Sequence, residues 1–204
     1  YMAIKLNLSK TDECLFCKSK WWGNPDIPEG FSFDDSLMFL CQIRCEDLMC
    51  LDKENRLPHK GMLYFFCDIP YYLGFYDEFE PPYGRLWDSD YVKVYYVEDV
   101  VEEEFRQIVF DDDFLPLIHE RKIEFVQTNE DDYGHKLLGS PCQFEYEDWD
   151  EPCQGWINLL QIDSDEDDDY NLMFMDMGVL YVIINPDDLS VKDFSKVKAY
   201  LYST

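Results

Sequence analysis

The chain of 204 residues carries 44 Asp and Glu against 17 Lys and Arg, a formal net charge of −27 at pH 7. This charge argues against nucleic acid as a direct partner and against anionic membranes, because both require a basic protein face. Hydrophobic residues make up 47% of the chain and aromatic residues 17%, so a packed core is expected rather than disorder. The electrostatic field of so negative a chain attracts cationic partners, namely basic proteins, polyamines or metal ions. The acidity can also serve solubility alone.

The first third of the chain predicts strands joined by loops. Residues 3–8 alternate weakly and predict a strand, whereas the proline and glycine in 21–30 predict an ordered loop. The apolar runs over 36–43 and 62–66 have strand length and predict two buried strands. Residues 70–90 are aromatic and rich in proline, which is typical of a long surface loop.

The rest of the chain continues this pattern with short helices. Residues 91–97 and 123–128 alternate and predict strands. Residues 99–106 predict one or two helical turns, with acids at the favourable N-terminal end, and 131–138 a short helix. Further strands are predicted at 155–162, 178–184 and 197–202, and a short helix at 188–194.

Three short motifs occur twice, in the same order. Gly23-Asn-Pro25, Phe39–Ile43 and Gly61–Phe65 of the first half return as Gly139-Ser-Pro141, Leu159–Ile162 and Gly178–Val182 of the second. The offset between the copies is 116 to 119 residues. Three motifs that recur in order at nearly one offset predict an internal duplication. The two units are expected to pack about a pseudo-two-fold axis, which often carries a groove.

We therefore predict an α+β fold, mostly antiparallel sheet, built from two pseudo-repeated units at about residues 19–70 and 135–190, with short helices and long loops. Residues 1–204 are interpreted as one domain that contains both units. Eight cysteines are present, but no signal segment opens the chain and no apolar run approaches the length of a membrane span. A cytoplasmic protein with reduced thiols is therefore expected.

The repeated motifs resemble those of the YwqG-like family of uncharacterised bacterial proteins. The similar segments are Ser19–Pro28, Phe39–Ile43, Leu57–Phe66, Leu137–Pro141 and Leu159–Asp165. The chain departs from the family at Trp22, where a Gly-Gly pair becomes Trp-Gly, and at Phe174 and Met175, where a Trp-Gly pair is replaced. The same turn keeps Asp176 and Gly178.

The resemblance implies an α+β domain of unknown function with duplicated sheet units and no established activity. Some members of the family lie beside bacterial toxin systems. The resemblance therefore also implies an immunity role, by association alone.

Gln42 and Gln161 occupy equivalent places in the two repeats, each inside an apolar strand. A buried amide must be hydrogen-bonded, because an unsatisfied one costs about 1–3 kcal/mol. Two interpretations remain open. The amides flank a ligand-binding groove, or each ties down the backbone of a neighbouring loop.

Asp163, Asp165 and Asp167 alternate as at the start of an EF-hand loop. Asp168 replaces the central glycine and Phe174 the final glutamate, so an EF-hand is not expected. The segment is interpreted as a solvated acidic loop that can also present charge to a cationic partner. Cys14-x-x-Cys17 has zinc or redox spacing but lacks a regular second pair, so no metal or cofactor is predicted.

No catalytic motif is found, and no catalytic residue is assigned. Trp21 and Trp22 form either an aromatic binding face or anchors that pin a loop to the sheet.

Three hypotheses follow. The first is a non-enzymatic acidic binding module that engages a basic protein, of toxin-immunity type in one version. The second is an enzyme or small-ligand binder that uses a groove near Gln42, Gln161 and Asp176. The third is a metal-dependent protein that uses the acidic loop or the Cys14/Cys17 pair.

Overall fold

The computed structural model describes residues 2–75, 83–84, 86–87, 90–110, 118–142 and 153–203. Strands account for 42% of the structure and helices for 11%. The predicted α+β class is therefore wrong, and the fold is predominantly β-sheet. Glycine, proline and clustered acids between the strands end local structure quickly, so these segments form turns and very short strands rather than helices.

The described strands are β1 (Met2–Ser9), β2 (Lys20–Trp21), β3 (Asp26–Pro28), β4 (Met38–Arg44), β5 (Met62–Cys67), β6 (Leu86–Trp87), β7 (Val92–Val97), β8 (Phe105–Gln107), β9 (Arg121–Asn129), β10 (Lys136–Leu137), β11 (Ile157–Ile162), β12 (Asp165–Asp167), β13 (Tyr170–Leu172), β14 (Val179–Ile184) and β15 (Lys198–Tyr202). The α-helices of the described residues are α1 (Ile69–Tyr72) and α2 (Pro186–Ser190). Short 3-10 helices lie at Cys45–Leu48, Glu102–Glu104 and Phe194–Lys196. Among the residues that the structure describes, no helix combines the length and the apolarity needed to cross a bilayer.

One sheet of eleven strands dominates the molecule, in the order β6-β15-β14-β11-β10-β1-β9-β2-β4-β5-β7. Neighbouring strands in it run antiparallel. Its centre is the pairing of β1 with β9, from Met2 opposite Asn129 to Ser9 opposite Lys122. The N-terminal strand therefore joins the two halves of the chain. Two small ribbons, β12-β13 and β3-β8, complete the sheet structure.

Four strands on each side of this central pair correspond to one another. Outward from β9 they are β2, β4, β5 and β7, and outward from β1 they are β10, β11, β14 and β15, with β6 beyond β15 at the edge. The pairing of β4 with β5 shifts register between Phe39 and Cys41, and that of β11 with β14 between Asn158 and Leu160. This likeness is one of topology. A duplication as its origin, and a single domain over the whole chain, stay predictions.

The two halves share one hydrophobic core. Strands β5 and β14 are buried along their whole length. Leu63 of β5 and Leu180 of β14 belong to the central core. Tyr64 and Tyr181, the next residues along each strand, point to the other face, where each half has a smaller cluster of its own. Both faces of the sheet are therefore covered at these strands, which explains their continuous apolar sequence.

The eight predicted strands are confirmed at β1, β4, β5, β7, β9, β11, β14 and β15. The helix predicted at 131–138 is wrong, because Gly134 has a φ of 89° and the chain turns there before entering β10. The loop predicted at 21–30 contains β3 and the end of β2. The helical turns predicted at 99–106 form in part, as the 3-10 helix Glu102–Glu104, which leads directly into β8. The loop predicted at 70–90 begins with most of α1 and contains β6, while its residues 76–82, 85 and 88–89 lie outside the described residues.

Candidate functional site

Gln42 is fully buried at the centre of a polar network in the first half. Its Oε1 accepts a hydrogen bond from the Asp26 backbone N–H at 2.9 Å, and its Nε2 donates to Lys18 O at 2.8 Å and Asp26 Oδ2 at 2.7 Å. The Lys20 Nζ, also fully buried, lies 2.8 Å from the same Asp26 oxygen. The Tyr64 hydroxyl donates to Asp26 O at 2.7 Å. The amide and the lysine together hold the segment that follows Pro25.

Gln161 makes matching contacts in the second half. Its Oε1 accepts from the Cys142 backbone N–H at 3.2 Å, one residue after Pro141, and its Nε2 donates to Gly134 O at 2.8 Å. Lys136 stands where Lys20 stands, but its Nζ donates to the Glu130 and Asp132 carbonyls at 2.6 and 2.8 Å. Cys142 occupies the position that corresponds to Asp26, so the counterpart of the Lys20–Asp26 ion pair is missing at Lys136. Burial lowers the pKa of Lys136.

The predicted groove residues do not meet in one cavity of the described structure. Gln42 and Gln161 are completely buried, and their amides are bonded mainly to loop backbone. Asp176 is exposed on the turn between β13 and β14, where its backbone N–H donates to Ser203 Oγ at 3.3 Å. This arrangement corresponds to the loop-holding interpretation of the two glutamines and gives the groove hypothesis no support.

The predicted acidic loop is a β-hairpin, residues 163–172, in which β12 pairs with β13. We call it the acidic hairpin. It lies over Arg121, which is only 2% exposed. The Arg121 guanidinium donates to Asp167 Oδ2 at 3.1 Å and Asp169 Oδ2 at 2.6 Å. Lys10 Nζ lies 3.0 Å from Asp167 Oδ1. Two carboxylates of the hairpin therefore bind cations of the chain itself.

His135 fixes the base of the acidic hairpin. Its ring stacks on Trp21 with the centroids 4.4 Å apart. Its Nδ1 accepts the Asp163 backbone N–H at 3.2 Å, so the ring proton of the neutral tautomer is on Nε2, which lies 3.5 Å from Asp165 Oδ2. Hydrogen bonds from His135 and Tyr170 hold the pKa of Asp165 below its usual value. Asp163 also accepts the Gly134 N–H at 2.8 Å.

The two tryptophans are internal. Trp21 is 0% and Trp22 2% exposed. Trp22 meets Tyr170 of the hairpin edge-on, with the ring centroids 5.5 Å apart, and its own backbone has a φ of 59°. Burial of this kind corresponds to anchoring, and neither ring forms an exposed aromatic face.

A cleft of about 840 Å³ opens beside the acidic hairpin. Its lining residues are Lys10, Thr11, Asp12, Glu13, Cys14, Phe16, Gly23, Asn24, Gln107, Ile118, His119, Glu120, Arg121 and Asp169, and we call it the acidic cleft. Gly23 brings the backbone close to its wall, since a Cβ there would lie 2.8 Å from the Glu120 Cβ. A second cavity of about 360 Å³ lies against β1 and the hairpin and shares Arg121 with the cleft.

The charges of the acidic cleft are unbalanced. Asp12, Glu13, Glu120 and Asp169 line it against two cations, Lys10 and Arg121. Hydrogen bonding to Arg121 lowers the pKa of Asp169, and hydrogen bonding to Lys122 lowers that of Glu13. These two carboxylates are thus held ionised by their partners, and the Glu120 carboxylate lies 3.3 Å from Lys20 Nζ. The two cations of the lining, Lys10 and Arg121, are bound by carboxylates of the hairpin. The site as a whole favours a positively charged ligand group.

Two overlapping stretches of the chain, residues 19–132 and 110–201, match the model of a family described as a domain of unknown function, DUF1963. The chain belongs to the DUF1963 family. No curated protein matches it. Together the two stretches cover residues 19–201 of this DUF1963 chain.

The described residues of this DUF1963 chain contain no group of three or more His, Cys, Asp and Glu side chains arranged to hold a metal ion. Cys14 is exposed in the acidic cleft, whereas Cys17 is buried and its pKa is raised to about 12 by burial. A raised pKa keeps the thiol protonated, and a protonated thiol is a poor metal ligand or nucleophile.

Sequence reasoning missed Arg121, His135 and the buried Lys20. A signal for the lysines was present, because a lysine stands three residues before each repeated glycine, in Lys20–Gly23 and Lys136–Gly139. Arg121 and His135 had no such signal. Their roles depend on a hairpin that is distant in sequence from Arg121 and was interpreted as a solvated loop.

Proposed function

We propose that this protein is a non-enzymatic binding module, which takes a cationic segment of a basic protein in the acidic cleft. The observation that carries the proposal is the charge of that cleft, whose lining has four carboxylates, Asp12, Glu13, Glu120 and Asp169, and two cations, Lys10 and Arg121. Three of these carboxylates lie within ion-pair distance of a cation of the chain, Glu13 of Lys122, Glu120 of Lys20 and Asp169 of Arg121. A lysine or arginine side chain of a partner would therefore bind beside these pairs, where Asp12 adds a further carboxylate.

The charge of the whole chain supports this proposal. The net charge of −27 steers basic proteins towards the molecule and repels polyanions. Most lysines and arginines of the described residues already lie within ion-pair distance of a carboxylate. The surplus charge presented to solvent is therefore negative.

The same proposal includes the type of basic partner and the relationship of the chain to YwqG-like proteins. The resemblance of the motifs to YwqG-like proteins supports a cytoplasmic module of immunity type, in which the basic partner is a toxin that the module neutralises. In such a role, binding itself is the function, and no reaction is required of the cleft.

Isothermal titration calorimetry with a lysine-rich peptide at low salt tests the proposal. The cleft variant Asp12→Asn/Glu13→Gln/Glu120→Gln removes three carboxylates of the lining. The control variant Glu98→Gln/Asp131→Asn/Asp187→Asn removes three exposed carboxylates from outside the cleft lining, so both variants have the same net charge. We expect the cleft variant to bind about tenfold or more weakly, and the control about as tightly as the wild type.

Equal weakening in the two variants would show that only the net charge matters, and it would contradict a specific cleft. Thermal unfolding of both variants checks that the fold is intact. A pull-down from the native host lysate with the same two variants then identifies the basic partner that depends on the cleft.

A further inference from the structure

The turn between β13 and β14 exposes three methionines. Met173 is 48%, Met175 36% and Met177 67% exposed, while Phe174 between them is completely buried. Methionine side chains are flexible and polarizable, so exposed methionines adapt to the apolar face of a partner. Single exposed hydrophobic residues that are scattered over a surface require no explanation. Three exposed methionines in one turn of a strongly acidic chain do require one.

A fourth apolar side chain extends this cluster. A Cβ built on Gly74 would lie 3.1 Å from the Met175 sulfur, so the methionine lies against the end of the segment that follows α1. The next residue, Phe75, is 58% exposed. We call Phe75, Met173, Met175 and Met177 the methionine surface.

The backbone of the turn is strained but well held. Met175 and Met177 have φ values of 53° and 54°, a region that costs a residue other than glycine about 1–2 kcal/mol. Gly178 N–H donates to Phe174 O at 2.6 Å, and the Ser164 hydroxyl donates to Gly178 O at 2.9 Å. Strain that the surrounding contacts maintain is common at binding sites, and here it directs methionines to the surface.

The methionine surface continues directly into the acidic hairpin. Strand β13 (Tyr170–Leu172) lies between Asp169, which lines the acidic cleft, and Met173. At about 3.3 Å per residue this span is about 13 Å, the length of about nine residues of α-helix. The exposed acids Glu166 and Asp168 lie on the hairpin, and Asp176 lies within the turn. An apolar surface and a row of carboxylates therefore lie side by side.

We propose that the methionine surface binds the apolar face of a basic amphipathic helix of the partner protein, whose lysines and arginines lie along the acidic hairpin towards the cleft. The charge complementarity selects this occupant, because an acidic or neutral helix would gain nothing from the adjoining carboxylates. The inference rests on the proposed function for its electrostatic part. It adds an apolar contact that the cleft alone does not supply.

Two synthetic peptides of equal composition test this inference. One is a leucine–lysine peptide of about 18 residues with its leucines on one helical face, and the other is a permuted peptide without an apolar face. We expect the wild type to bind the amphipathic peptide about tenfold more tightly in calorimetry, because only that peptide buries leucine against the methionine surface. The variant Met173→Gln/Met175→Gln/Met177→Gln should bind both peptides alike.

The matched control is Met2→Gln/Met49→Gln/Val191→Gln, which changes exposed apolar residues elsewhere and should keep the preference. A methionine variant that retains the full preference would overturn the inference, as would a wild type that shows none. Thermal unfolding confirms that each variant is folded. If neither peptide binds the wild type, or if the cleft variant binds both as well as the wild type does, the proposed function fails instead.

Sedimentation of the wild type tests whether the methionine surface is covered by a second copy of the chain rather than by a helix of a partner protein. We expect a monomer at the concentration of the calorimetry. A dimer that the methionine variant converts to a monomer would show that another copy covers the methionine surface, and this would overturn the proposed helix.

Discussion

Gln42 and Gln161 each accept a hydrogen bond from the backbone N–H that follows a Gly-x-Pro turn, from Asp26 at 2.9 Å and from Cys142 at 3.2 Å. Each amide also donates to the carbonyl two residues before a buried lysine, at Lys18 and at Gly134. The two side chains therefore do the same structural work in the two halves. They hold one wall of the acidic cleft and the base of the acidic hairpin.

Replacing these glutamines should destabilise the protein to different degrees. Gln42→Leu leaves the Asp26 N–H and the Lys18 carbonyl without their partner and removes a short bond to a buried carboxylate. We expect a loss of about 3 kcal/mol in the free energy of unfolding, against about 1–2 kcal/mol for Gln161→Leu, because Gln161 bonds to uncharged backbone groups and its bond from the Cys142 N–H is longer. Urea unfolding of both variants measures the difference. Equal losses would mean that the carboxylate of Asp26 contributes nothing.

Lys20→Met should be more damaging than Lys136→Met. Lys20 and Asp26 are both completely buried, and removing the lysine leaves an uncompensated carboxylate in the core. Breaking a buried pair in this way costs about 3–5 kcal/mol. Lys136 bonds to two carbonyls, so its loss should cost about 1–3 kcal/mol.

The double variant Lys20→Met/Asp26→Asn is the control for this comparison. Removing the charge of Asp26 should restore part of the stability that Lys20→Met loses. If the double variant is less stable than Lys20→Met by the full cost of Asp26→Asn, the two residues are not coupled, contrary to the geometry.

Trp22→Gly should destabilise the protein although it relieves backbone strain. The residue has a φ of 59°, where glycine avoids a cost of about 1–2 kcal/mol. Its buried indole packs edge-on against Trp21 and Tyr170, and its loss should cost about 3–5 kcal/mol. The net expectation is a loss of about 2 kcal/mol in thermal or urea unfolding. A gain in stability would show that the indole contributes little to the packing under the acidic hairpin.

The acidic hairpin should loosen in acid. The pKa of Asp165 is lowered by its hydrogen bonds to His135 and Tyr170, whereas an unfolded aspartate titrates at about 3.9. The ionised carboxylate therefore stabilises the folded state above that value, and this contribution is lost as the pH falls through the lower folded pKa. Asp165→Asn should abolish the contribution, so the two proteins should differ most at neutral pH and converge as the pH falls below the folded pKa of Asp165. A stability difference that stays constant as the pH falls from neutral into the acid range would contradict the assignment.

The long strands were predictable because their signal is local. A run such as Met62–Cys67 contains only apolar residues and is too short for a buried helix. Its antiparallel partner β4 is apolar except for Gln42 and Arg44, and its partner β7 except for Lys93. Burial on both faces of β5 and β14 follows from the same sequences.

The parts that the sequence did not reveal depend on contacts between distant segments. The hairpin at 163–172 contains seven acids or their amides and only one fully apolar position, so its residues alone favour a solvated loop. It becomes regular because Arg121, Lys10 and His135 supply cations and donors from elsewhere in the chain. The error in fold class has the same origin, since local acid and glycine content does not distinguish a helical turn from a short strand that finds a distant partner.

A two-dimensional NMR titration of the isotopically labelled protein with the amphipathic leucine–lysine peptide tests the central claim most directly. We expect shifts of the backbone amides at residues 10–14, 118–121 and 166–177, which include the acidic cleft, the hairpin and the methionine surface. Shifts scattered over the whole acidic surface, or none at all, would contradict the account.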